Sequence, residues 1–142
     1  MKYHVLILGL LCLWGTVPAH AEKLPAEFVW ALNQVEAGGR TNGVIIGDRG
    51  LARGPLQIHY SYWKDSGVKG KYSDCDRFDY SIRVAEGYLN RYSAGAIRDG
   101  DYETLARIHN GGPSGDKKAS TRPYWLKVKR YLLASSNCKK KY

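Results

Sequence analysis

The 142-residue sequence is poor in cysteine, in acidic side chains and in long apolar runs, and each shortage narrows what the chain can be. Only three cysteines are present. Two of them, Cys75 and Cys138, lie too far apart in the chain to suggest a zinc site. His4, His20 and His59 have no metal-ligand spacing with His109, and no glycine-rich loop is built to cradle a phosphate, so neither a metal nor another cofactor is expected. The main apolar run, Val5 to Trp14, is too short to span a bilayer, which argues against stable membrane insertion. Internal repeats, low-complexity tracts and linkers are also missing. One domain is expected, as a monomer, and it is long enough to bury a modest core.

Acidic residues number 13 against 22 basic ones, giving a formal charge of +9. A charge of this sign attracts polyanions such as nucleic acid, anionic lipid or an acidic bacterial wall. No nucleic-acid-binding motif accompanies it, so nucleic acid is not an expected partner. Lys2 and His4 precede the apolar run, and Ala19-His20-Ala21 supplies a small-x-small cleavage site, so residues 1–21 read as a secretory signal peptide. The product would be secreted, into the medium or a periplasm. Residues 22–142 would form the domain, with a short basic tail at Lys139-Lys140-Lys141. Export into an oxidising compartment favours a Cys75–Cys138 disulfide. Closing so long a loop contributes roughly 4 kcal/mol in the chain-entropy model.

The rest of the chain is mainly helical in pattern. Pro25 suits a first helical position, Phe28, Leu32 and Val35 recur at helical spacing, and Gly38-Gly39 ends the segment. Between Arg40 and Arg53, the turn signal Asn42-Gly43 and the β-branched run Val44-Ile45-Ile46 predict a small hairpin. Pro55 then starts a second helix carrying Ile58, Tyr62 and Trp63, which Gly67 stops. A third helix is expected over Tyr80–Tyr92 and a fourth over Tyr102–Asn110, capped by the Asp99-Gly100-Asp101 turn. A fifth is capped by Thr121 and carries Trp125, Val128 and Leu132. The expected fold is mainly α, an α+β arrangement of about five helices with one small hairpin.

Two carboxylates stand out within this pattern. Glu36 falls on the Phe28–Leu32 face of the first helix, where burial would raise its pKa, while Asp48 sits among Gly47, Arg49 and Gly50 in a polar loop that would keep it ionised. Cleavage of a glycosidic bond needs this division of labour. One carboxylic acid protonates the leaving oxygen, and one carboxylate attacks or stabilises the sugar cation.

The surroundings of the pair resemble the invertebrate-type lysozymes, the family that includes destabilase. The resemblance runs from Glu36 and Asp48 through Gly54-Pro55-Leu56-Gln57-Ile58, Tyr62-Trp63-Lys64-Asp65, Tyr88-Leu89-Asn90-Arg91-Tyr92, Ala106-Arg107-Ile108-His109-Asn110-Gly111-Gly112-Pro113 and Tyr124-Trp125. It implies a lysozyme-like fold with a substrate cleft between hairpin and helices, hydrolysis of bacterial peptidoglycan, Glu36 as acid and Asp48 as second carboxylate. His109 and Asn110, before a Gly-Gly break, are candidates to meet sugar hydroxyls or amides. Gln57 would read an acetamido group or cap the second helix, and Ile58 and Tyr62 complete the candidate substrate-binding set. The chain departs from the family in its few cysteines and in a shorter loop from Asp48 to Gly54. Three other readings stay open: a lytic transglycosylase using Glu36 alone, a non-catalytic cationic wall-binding or antimicrobial protein, and an isopeptidase using His109 and a serine such as Ser120.

Overall fold

A computed structural model describes residues 21–139, with side chains as far as residue 136. Nearly all of the expected leader lies outside the described residues, as does the Cys138 side chain on which the proposed disulfide depends. Cys75 itself is a buried, free thiol among the described residues, and burial pushes it up to about 12. No helix among those residues is long and apolar enough to cross a membrane.

Among the described residues, five α-helices enclose the core. The first, α1 (Ala26–Ala37), begins after Pro25 and stops at Gly38, whose left-handed φ of 61° lets its N–H return to the carbonyls of Asn33 and Gln34. Its Phe28 and Leu32 are fully buried. Helix α3 (Phe78–Asp99) is longer than its expected core of Tyr80–Tyr92 and carries a break at Ser93, one residue beyond the point where the apolar periodicity fades. Helix α4 (Tyr102–Gly111) is capped as expected, with Asp101 accepting from the Thr104 N–H at 3.1 Å. Helix α5 (Arg122–Lys139) packs Val128 into the core. Thr121 does not serve as its expected cap. Its hydroxyl instead accepts from Arg107 Nε and bonds the carbonyls of Gly115 and Lys118.

The β element is a three-stranded antiparallel sheet of very short strands, β1 (Ile46–Gly47), β2 (Ala52–Arg53) and β3 (Ile58–His59). The first turn is not at Asn42-Gly43. It lies at Asp48, Arg49 and Gly50, which have successive positive φ values of 45°, 53° and 97° and so reverse the chain tightly. Register follows: Ile46, Arg53 and Ile58 form one row and Gly47, Ala52 and His59 the other, and alternate rows face opposite sides of the sheet.

The helix expected from Pro55 begins only at Tyr60 (α2, Tyr60–Ser66). Gly54 and Gln57, at φ 79° and 48°, are incompatible with an earlier helical start. A Cβ at Gly54 would lie 1.8 Å from the Cys75 carbonyl oxygen, so this glycine lets the base of the sheet seat against the 72–76 turn. Ile58 is therefore a strand residue, only 1% exposed and part of the core, which corrects its expected place among the substrate-contacting residues.

Candidate active site

A cavity of about 300 Å³ opens between the sheet and the helices, lined by Glu36, Asp48, Ala52, Gln57, His59, His109 and Asn110. A larger hollow of about 410 Å³ beside Trp30 and Phe78 has mostly apolar walls and no acid or histidine. The smaller cavity holds the reactive groups.

Glu36 reaches it from the last turn of α1. Burial pushes its carboxyl from the ordinary 4.5 up to about 7, while a hydrogen bond from Tyr124 and the nearby Lys127 charge act in the opposite direction. Tyr124, in the first turn of α5, donates its hydroxyl to Glu36 Oε1 at 2.5 Å. Its own pKa is raised well above the usual value, chiefly by burial, so it remains a donor. With Oε1 occupied in this way, Oε2 is the oxygen left to carry a transferable proton.

His109, in the last turn of α4, stands 3.7 Å from Glu36 Oε1 through Nε2. Burial pulls its pKa down to about 4, against a backbone hydrogen bond at Leu56, so the ring is neutral at pH 7. Its Nδ1 lies 3.0 Å from the Tyr62 hydroxyl, and Tyr62 is stacked on Tyr88 with ring centroids 3.6 Å apart. Tyr62 is therefore a buried support behind His109 rather than a part of the cavity wall, which corrects its expected direct contact with substrate. Asn110 does line the cavity, at its exposed edge.

Asp48 enters from the turn between β1 and β2 and is exposed. Its Oδ2 lies 3.3 Å from Nε2 of His59. Gln57 lines the cavity between them, but its Nε2 is bonded to the Gly54 carbonyl at 2.8 Å and its Oε1 packs against Gly47. The amide thus holds the sheet together and does not cap α2. Among the described residues no group of three histidine, cysteine or acidic side chains could hold a metal. Ser120, exposed on the Ala119–Thr121 turn, makes no hydrogen bond with His109.

Sequence reasoning passed over His59 and Ala52 and gave Tyr124 no role. His59 was hidden by reading 55–67 as one helix, and Ala52 by leaving the end of the Arg40–Arg53 hairpin without a strand register. As a strand, Ile58-His59 alternates core with cavity, and the same alternation turns Ala52 to the cavity and Arg53 away from it. The link between Tyr124 and Glu36 crosses 88 positions and left no local signal.

No family model matches the chain. It is 31% identical to the lysozyme of Magallana gigas over 125 residues, covering 86% of this chain and 91% of that protein. It is 37% identical to invertebrate-type lysozyme 6 of Caenorhabditis elegans over 91 residues, covering 56% of this chain and 66% of that protein. The crystal structure of Tapes japonica lysozyme superposes with a TM-score of 0.62 at 27% identity, covering 77% of this chain and 92% of that one.

Proposed function

The chain belongs to the invertebrate-type lysozymes, and from this premise we propose that it is a secreted muramidase. It hydrolyses the β-1,4 bond between N-acetylmuramic acid and N-acetylglucosamine in bacterial peptidoglycan. The observation that carries this reading is a mostly buried glutamate, its carboxyl pushed up to about 7 by that burial, sharing one cavity with an exposed aspartate. A glycosidase needs such a pair of unequal carboxyl groups.

In the proposed mechanism Glu36 gives its Oε2 proton to the glycosidic oxygen as the bond to the sugar's anomeric carbon breaks. Asp48 attacks or stabilises the cationic carbon from the other face. Glu36, now ionised, takes a proton from water, and the resulting hydroxyl displaces Asp48 with net retention. Neutral His109, tied to the Tyr62 hydroxyl through Nδ1 and to the Leu56 backbone, forms an uncharged wall beside Glu36, with Nε2 3.7 Å from Oε1. A neutral ring there adds no positive charge that would hold Glu36 ionised. Asn110, at the open edge, meets the sugar's polar groups. Secretion follows from a leader over residues 1–21, which is part of the same proposal.

Turbidity clearing of purified bacterial walls by the native enzyme and by Glu36→Gln tests the reading. The variant is expected to clear roughly 10²- to 10⁴-fold more slowly, and native digestion should leave reducing sugar ends. Undiminished clearing by Glu36→Gln would contradict it.

A further inference from the structure

The positive charge of the molecule is not spread over it. From Lys117 to the C-terminus the sequence has nine basic residues and no acidic one, whereas residues 22–116 have twelve basic and thirteen acidic residues. Six of the nine, Lys117 to Arg130, lie on α5 and the turns leading into it, with no acidic residue among them. Lys117, Lys118, Arg122, Lys127, Lys129 and Arg130 are all exposed, and among the described residues none of the six forms an ion pair. One helix thus has two functional sides. Tyr124 reaches inward to Glu36, and Lys127 lies close enough for its charge to be felt there, while Arg122, Lys129 and Arg130 face solvent.

We propose that the solvent face of α5 is a docking surface for the phosphodiester polyanions attached to bacterial walls, holding the polymer beside the glycan strand that occupies the cleft. This rests on the muramidase reading and adds the anionic component of the wall to its substrate. Three features favour this occupant. First, the initial turn of α5 abuts the cleft through the Tyr124–Glu36 bond, so a polymer leaving the bound strand has only the width of one helix to cross to reach the cations. Second, Arg122 and Arg130 are two helical turns apart, about 12 Å along the axis, beyond the reach of one phosphate but suited to successive phosphates of a polymer. Third, a helix that lies on a lipid surface needs its broad apolar side free. Here that side, with Val128 and the half-buried Trp125 and Leu132, is packed against the core, and the exposed Leu126 and Leu133 stand singly among cations.

The test is co-sedimentation of the full chain with Gram-positive walls, intact or stripped of their phosphodiester polymer with hydrofluoric acid. The native protein should bind intact walls about tenfold more tightly than stripped ones, and the preference should vanish in about 1 M salt. The triple variant Arg122→Gln, Lys129→Gln, Arg130→Gln should bind intact walls as weakly as stripped ones, with hydrolysis of a soluble, neutral N-acetylglucosamine oligomer unchanged. Lys129→Arg alone should keep the native preference. Equal native binding to both walls, undiminished binding by the triple variant, or a triple-variant loss seen on anionic lipid vesicles but not on walls would overturn the proposal. A native protein that discriminates between the walls yet cleaves no glycan would leave the docking surface standing and remove the muramidase reading.

Discussion

Glu36 and Asp48 face one cavity from two very different kinds of structure. Glu36 ends a three-turn helix, is held by a tyrosine from α5, stands beside a histidine from α4, and its side chain is 17% exposed. Asp48 occupies a turn between strands of two residues each, in a left-handed backbone conformation, and its side chain is 55% exposed. The core therefore controls the proton affinity of the first carboxyl, whereas local turn geometry controls the position of the second. What holds that turn is a small set of polar ties. The Tyr72 hydroxyl donates to the Leu51 and Ile58 carbonyls at 3.2 and 2.7 Å, Arg53 pairs with Asp76 through two hydrogen bonds, and Gln57 bonds Gly54.

The contrast predicts effects of different kind and size. Asp48→Asn should slow wall clearing by roughly 10²- to 10³-fold, the scale for loss of one transition-state-stabilising group, with thermal stability unchanged because the side chain is exposed. Full activity with anhydro-sugar products would instead favour a transglycosylase that uses Glu36 alone.

Glu36→Gln should behave oppositely in stability. The native carboxyl has its folded pKa raised to about 7 from 4.5. The contribution from its proton is thus complete below pH 4.5 and is lost as pH rises to 7. The amide escapes that loss, so the variant should match the native protein near pH 4 and exceed it at pH 8 by up to about 3 kcal/mol, measured by denaturant unfolding.

Tyr124→Phe removes a bond that lowers the Glu36 pKa, so the alkaline limb of the activity profile should move above pH 7 while the maximal rate drops about tenfold. Tyr72→Phe should have the smallest effect. A loss of about 1 kcal/mol in stability and a severalfold lower kcat are expected, with the alkaline limb unmoved, because only the Asp48 side is loosened. A shifted limb in Tyr72→Phe would mean that the two regions are not separable.

The same contrast explains what could be read from the sequence. Helical periodicity and glycine stops located α1, α4 and most of α3, and with them the burial of Glu36. The sheet was harder, since its strands are too short for alternation to register and its turn relies on left-handed Asp48 and Arg49 rather than on the Asn42-Gly43 signal. Missing β3 moved Ile58 into the expected site and left His59 out of it. Tyr62 was recognised without its role, because stacking on Tyr88 and bonding to His109 are consequences of tertiary packing. The cation surplus was legible in the sequence down to its C-terminal clusters, but its place on the outer side of the helix that braces Glu36 required the fold.

The central claim is that the core keeps Glu36 protonated for catalysis. Carbon-13 carboxyl NMR of the native protein, titrated from pH 3 to 9 and assigned with Glu36→Gln, measures this directly. A Glu36 midpoint of about 7, coinciding with the alkaline limb of wall hydrolysis, is the predicted result. A midpoint near the ordinary 4.5, with activity persisting above pH 7, would contradict it.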